Sequence, residues 1–313
     1  MHRLLPFVLV FAAACAAPKP AADSAAPPAA SAEEPHDMAD SMHTEHAADR
    51  PTPSGAVQPP RVPVVGETVN YIGSRGYYAR PRSRPTRAGL IVAHEWWGLN
   101  DNVRRMADRL AGEGYRVLAI DLYAGMVATR PDSAAGLYRA ATTDLDGMRD
   151  NLQRAYRWLT GPQGGATGKV GILGWCMGGL VAIEGAMTLP TQLDAAVIYY
   201  GDMSGATVER LRPIRMPILG HFAEQDRAIP PDSVAAFEQR LAAAGRPADL
   251  TVYPGVGHGF ANPTGQRYDA AAEAEAWTKT VAFLRQNLLP TPARTTRPRT
   301  TRPRTTRPRA RRN

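Results

Sequence analysis

The sequence predicts an α/β fold, a doubly wound and mostly parallel sheet with helices on both faces. Three observations carry that expectation. Near-continuous apolar runs recur along the middle of the chain, amphipathic stretches separate them, and no glycine-rich dinucleotide or phosphate loop follows the first long run. Strands that are apolar throughout are covered on both faces, which is the mark of a parallel sheet built from β-α units. The missing phosphate loop argues against a nicotinamide or nucleotide enzyme, and no cofactor is expected.

Taken in order, "TVNYIGSRGYYARP" (68–81) reads as an opening antiparallel hairpin at the sheet edge. The runs "AGLIVAHEW" (88–96), "YRVLAIDLY" (115–123), "KVGILGW" (169–175), "DAAVIYYG" (194–201), "MPILGHFAE" (216–224) and "DLTVYPGV" (249–256) read as strands. Residues 100–113, 131–160, 177–188, 231–244 and 267–288 carry helical spacing. "PDSVAAFEQRLAAAG" shows both helix signals, Pro and Asp at its start and Gly245 at its end. Ligands of such a sheet bind at the carboxyl ends of its strands.

The folded part is expected to be residues 65–289, long enough for one substantial core within the 313-residue chain. Residues 1–15 read as a signal peptide: His2 and Arg3, an apolar run from Leu4 to Ala14, then Cys15. "FAAAC" is similar to a bacterial lipobox, whose cysteine is lipidated; a plain cleavable signal is the alternative. Either implies export, to the periplasmic face of the cell envelope as a lipoprotein or to the periplasm or medium as a soluble protein. Residues 16–64 are Ala, Pro, Ser, Asp, Glu and His with few large apolar side chains, and are expected to be a disordered tether. Within it, "HDMADSMHTEH" gathers His36, Met38, Met42, His43 and His46 at a spacing that fits no defined metal site, so none is expected.

Residues 290–313 hold "TTRPR" three times in succession and nine arginines from Arg294 onward. The formal charge of the whole chain is +8, so everything before that tail sums to −1. The basic character belongs to the tail, which is expected to be extended and suited to polyanions such as lipid head groups, or to be a solvated extension. Nucleic acid is not an expected partner. The protein is expected to be a monomer associated with a membrane through Cys15, with the arginine tail as a second contact.

The stretch "GILGWCMGG" (171–179) carries the chemistry. It reads strand, sharp turn, helix, with Cys176 at the corner and Gly174 and Gly178 beside it. This is the nucleophile-elbow pattern Gly-x-Ser-x-Gly with cysteine in place of serine. A helix N-terminus aimed at the sulfur favours the thiolate. Two later strands end in polar loops, one bearing Asp226 and the other His258, which gives the order nucleophile, acid, base. Alternatives stand beside each residue. Asp226 also suits a helix-capping role, with Glu224 as the acid. His221, inside a strand, reads as a structural histidine. Cys15 is the only other cysteine, so a disulfide partner for Cys176 is lacking in the folded part.

Taken together, "HEWWGLN", "DLYAG", "GWCMGG", "YYG", "AEQDRAIP" and "YPGVGHGFAN" resemble the dienelactone hydrolase family of α/β-hydrolases, in order from about Val69 to Leu289. The resemblance implies the α/β-hydrolase fold, a Cys176–His258–Asp226 triad and a role for Glu95 as the carboxylate that contacts the resting thiol. It implies an oxyanion hole from the backbone N–H groups of Met177 and Trp96. The two arginines with which the family's founding members hold a substrate carboxylate fall on Gly125 and Asn262, so a doubly anionic muconolactone-type substrate is not implied. Arg130 and Arg227 are the nearby substitutes. Trp97, Tyr123, Tyr200 and Phe260 are expected to line an apolar substrate pocket beside Trp96. The expected activity is hydrolysis of a small ester or lactone with a good leaving group, through a thioester. A non-catalytic binding lipoprotein and a thiol-based redox sensor are the rival expectations.

Overall fold

The computed structural model describes residues 38–49, 57–83, 86–246 and 248–289. The expected signal peptide with Cys15, most of the expected tether and the arginine tail lie outside these residues.

Eight strands form one sheet: β1 (Val64–Tyr71), β2 (Ser74–Pro81), β3 (Gly89–Ala93), β4 (Arg116–Ile120), β5 (Val170–Trp175), β6 (Ala195–Tyr199), β7 (Ile218–Ala223) and β8 (Ala248–Tyr253). Their order across the sheet is β1-β2-β4-β3-β5-β6-β7-β8. The β1–β2 hairpin pairs antiparallel and joins β4 antiparallel, while every pair from β4 through β8 is parallel.

Strand alternation divides the apolar runs between two cores. Leu90, Val117, Leu173 and Val197 face one side, and their neighbours Ile91, Leu118, Ile172 and Ile198 face the other. The first face is covered by α2 (Asp101–Gly112) and α8 (Ala270–Leu288), which bury Met106, Leu110, Val281 and Leu284. The second is covered by α4 (Leu145–Thr160), α5 (Met177–Thr188), the short α6 (Val208–Leu211) and α7 (Pro231–Ala243), through residues such as Leu152, Val181 and Phe237. This two-faced burial is why the strands read as unbroken apolar runs.

Two departures from the sequence expectation have local causes. The helical stretch 131–160 divides into α3 (Pro131–Thr143) and α4, because Asp144 turns out of the helix and its carboxylate accepts from Gly147 N at 2.9 Å, capping the second helix. The stretch expected as a tether is not uniformly so. Met38–Glu45 form a helix, α1, that packs against α3, with Met42 1% exposed in the core of the first face. One buried methionine in a polar segment is too weak a periodic signal to distinguish from linker.

Candidate active site

The parallel strands β3, β5, β7 and β8 all end at one rim of the sheet, and each delivers one polar side chain there: Glu95, Cys176, Asp226 and His258. Cys176 sits between β5 and α5 at φ 56°, ψ −119°, a strained conformation for a residue with a side chain. The flanking glycines make that strain tolerable. A Cβ at Gly174 would lie 2.1 Å from the Gly178 carbonyl oxygen, and one at Gly178 would lie 2.3 Å from Ala93 O. Cys176 N–H donates to Tyr199 O at 3.0 Å, and its carbonyl accepts from Gly179 N at 2.8 Å, so the elbow is fixed to β6 and to its own helix.

His258 is buried, and its Nδ1 meets Asp226 Oδ2 at 2.7 Å. The other oxygen of Asp226 accepts from the backbone N–H groups of Ala228 (3.0 Å) and Ile229 (2.8 Å), which fixes the carboxylate plane. Asp226 is thus a loop cap and the histidine's partner at once. Glu224 is turned away, accepting from Gly255 N at 2.8 Å. Burial opposes charge on His258, but Asp226 and then Cys176 outweigh it, and its pKa lies well above the ordinary 6.5. Its Nε2 is buried without a hydrogen-bond partner. Tyr200, at φ 36°, stacks on the imidazole at 5.0 Å between centroids, and Phe260 stacks on Tyr200 at 5.4 Å.

Glu95 is buried and accepts from Asn262 Nδ2 at 2.5 Å. Burial raises its pKa to about 7, with His258 pulling the other way. A carboxyl whose pKa rises on folding favours the folded state while protonated, so its stabilising contribution fades as pH rises from about 4.5 to about 7. Glu95→Gln removes this dependence. Urea titrations at pH 5 and 7.5 should show the wild type losing on the order of 2 kcal/mol relative to that variant.

Cys176, His258, Glu95, Trp96, Trp97 and Asn262 line one cavity of about 30 Å³, shared with Met42, His46, Asp49 and Arg267. Met177 begins α5 and Trp96 follows Glu95; neither backbone N–H donates to another backbone group in the turns and loops of the described residues. Three of the residues expected to line the pocket stand behind it instead. Tyr200 and Phe260, both fully buried, support the imidazole from within the core. Tyr123 OH lies 3.1 Å from both Trp96 O and Met177 Sδ, its one proton shared between these two acceptors, so it packs against both residues expected as oxyanion donors. A larger cavity of about 310 Å³ between the loop after β4, α3 and α4 also touches Tyr123 but is lined by neither Cys176 nor a histidine.

Gly125 N–H donates to Asp121 Oδ2 at 2.5 Å, and Arg130 pairs with Asp132 at 2.9 Å; neither lines the catalytic cavity. The cation that does line it is Arg267, which the sequence did not single out. His221 donates to or accepts from Tyr253 OH (3.1 Å) and Thr280 Oγ1 (2.9 Å), and burial pushes its pKa down to about 3, in keeping with a structural role. No group of three His, Cys, Asp or Glu side chains arranged to hold a metal occurs among the described residues.

A cysteine at a strand-to-helix elbow at the rim of a mostly parallel sheet, with Asp226 and His258 brought there from later strand ends, is the arrangement of the α/β-hydrolase fold. Residues 74–288 match the dienelactone hydrolase family. The chain is 32% identical over 227 residues to Protein usf of Aquifex pyrophilus, which covers 70% of this chain and 96% of that protein. It is 31% identical over 232 residues to a protein of Aquifex aeolicus (strain VF5) named "Putative carboxymethylenebutenolidase", with 70% of this chain and 96% of the relative covered. A crystal structure titled as that of a "Putative Dienelactone Hydrolase" from Klebsiella pneumoniae superposes with a TM-score of 0.64 at 26% identity, covering 72% of this chain and 99% of that one. The chain belongs to the dienelactone hydrolase family, and it is a hydrolase.

Proposed function

We propose that the protein hydrolyses a small ester or lactone through a thioester on Cys176, with His258 as base and acid and Asp226 as its orienting partner. The observation that carries this reading is the imidazole itself. Its Nδ1 is held by a fixed carboxylate at 2.7 Å, and its Nε2 is left unpartnered on the cavity that Cys176 lines.

His258 Nε2 takes the Sγ proton, and the raised pKa of the imidazole favours its holding that proton. The sulfur forms a bond to the carbonyl carbon, whose π electrons move to oxygen and are met by the N–H groups of Met177 and Trp96. The adduct collapses, the carbon–oxygen bond to the leaving group breaks, and His258 returns the proton to that oxygen. Water then adds to the thioester, giving its proton to His258; the second collapse expels the thiolate, which regains the proton as the acid departs. Glu95, buried beside the sulfur's cavity with a pKa near 7, is suited to the contact with the resting thiol that the family resemblance implies.

Sulfur is itself a good leaving group, so the first adduct returns to starting ester unless the other group also leaves well. Enol esters, enol lactones and aryl esters meet that condition, whereas alkyl esters and amides do not. Export, lipidation at Cys15, membrane contact through the arginine tail and a monomeric state remain part of the proposal on sequence grounds.

Iodoacetamide labelling tests the reading directly. Labelling is expected to reach one equivalent, at Cys176, with p-nitrophenyl acetate hydrolysis lost in proportion. A protein that never turns over the ester would be a binding protein of this fold. Peroxide reactivity that survives His258→Ala, in a chain without esterase activity, would indicate a redox sensor.

A further inference from the structure

We propose that the mouth of the catalytic cleft is a docking surface for the chain's own segment Met38–Asp49, and that this segment and the substrate exclude one another. The inference rests on the hydrolase reading for what the segment excludes, but not for the docking itself.

The segment is seated by side chains of three kinds. Met42 of α1 and His46, in the turn just after it, point into the body of the protein and are 1% and 5% exposed. Elsewhere on the helix, His43 Nε2 meets Asp132 Oδ1 at 2.7 Å, and Asp40 pairs with Arg139, so both contacts fall on α3. Beyond the helix, His46 Nδ1 donates to Asp49 Oδ2 at 2.6 Å, and Arg267 Nη1 donates to the same oxygen at 2.9 Å. Arg267 Nη2 also donates to Glu45 O. Burial pushes the His46 pKa down to about 4, so the ring is neutral in this position.

The place where the segment docks is the active site itself. The His46 ring lies edge-on to that of His258 at 5.3 Å between centroids and 5.4 Å from that of Trp96. Cys176 is 6% exposed and His258 2%. The cavity left between them and the segment, about 30 Å³, holds one or two waters, whereas pockets for small ligands run to about 300 Å³ or more. No ester fits while Met42 and His46 are in place.

The attachment is also of a kind that can release. Glu45 Oε2 and His46 Nε2 are buried with no hydrogen-bond partner, so docking leaves polar atoms of the segment unsatisfied. The main contact of α1 is with α3, and Met42 is the residue it sends into the core of the first face. Upstream, 16–37 offers few large apolar side chains to hold the segment down; downstream, the chain is next held where Val57 packs on the core and Arg61 pairs with Glu113 at 2.9 Å.

The test compares the full chain with two variants of it. In one, residues 38–49 are replaced by Gly and Ser at equal length. In the other, Arg267→Gln removes the guanidinium that grips Asp49 without touching the core. Iodoacetamide labelling of Cys176 is expected to accelerate at least tenfold in the first and severalfold in the second, and kcat/KM for p-nitrophenyl acetate should rise in the same order. A synthetic peptide of residues 38–49 should slow labelling of the replaced chain again. Labelling and kcat/KM that are unchanged or lower in both variants overturn the proposal. Faster labelling with no ester turnover in any chain would keep the docked segment and remove the hydrolase reading; turnover with unchanged labelling would do the reverse.

Discussion

Cys176→Ala and His258→Ala are each expected to lower kcat for p-nitrophenyl acetate by about 10⁴–10⁶-fold, and the double variant to be little worse than either alone. The two groups act as a unit. Without sulfur nothing forms the thioester. Without the imidazole, no base takes the thiol proton and the leaving oxygen receives none. On the proposed mechanism, what survives is the electrostatic contribution of the Met177 and Trp96 N–H groups. Neither substitution adds volume at the buried elbow or its facing loop, so thermal unfolding midpoints serve as the control. Single variants that each retained a tenth of the activity would place the chemistry elsewhere.

Asp226→Asn should cost about 10⁴-fold in kcat at neutral pH, by the tautomer argument established for serine-protease triads. The geometry here says why. Asp226 Oδ1 accepts from the N–H groups of Ala228 and Ile229, so an asparagine must keep its carbonyl oxygen there. Its amide then points its donors at His258 Nδ1, 2.7 Å away in the wild type. A ring that must accept at Nδ1 carries its hydrogen on Nε2, facing the sulfur, and cannot take the thiol proton. An Asp226→Asn variant whose kcat at pH 7 stayed within about tenfold of the wild type would count against this account.

Much of this architecture was legible in the chain. The six internal runs fall on β3 through β8 with ends shifted by a few residues, because those from β3 to β7 are apolar on both faces and all are bounded by turn residues, while β8, at the sheet edge, is half-exposed. Gly174 and Gly178 marked the elbow, since the contacts that exclude a Cβ at each lie within the local strand-to-helix turn or on the adjacent strand. Less was legible where a residue's part depends on a distant neighbour. Tyr200 and Phe260 were expected to face substrate and instead support His258, because an aromatic residue at a strand end has the same appearance in either position. Asn262, at the place of a family arginine, binds Glu95 and so holds a carboxylate of the protein itself.

Period, punctuation and the order of chemical groups are local properties, and these the amino-acid sequence determined unaided: the α/β class, the elbow and the succession of sulfur, carboxylate and imidazole. Strand pairing is not local. Only the assembled sheet brings Asp226 to His258 across 32 positions, and only the folded body brings His46 to Arg267 across 221. The segment around Met42 shows the difference most plainly. Alone it has too little apolar surface to fold, and the cleft supplies the partner surface that its sequence lacks.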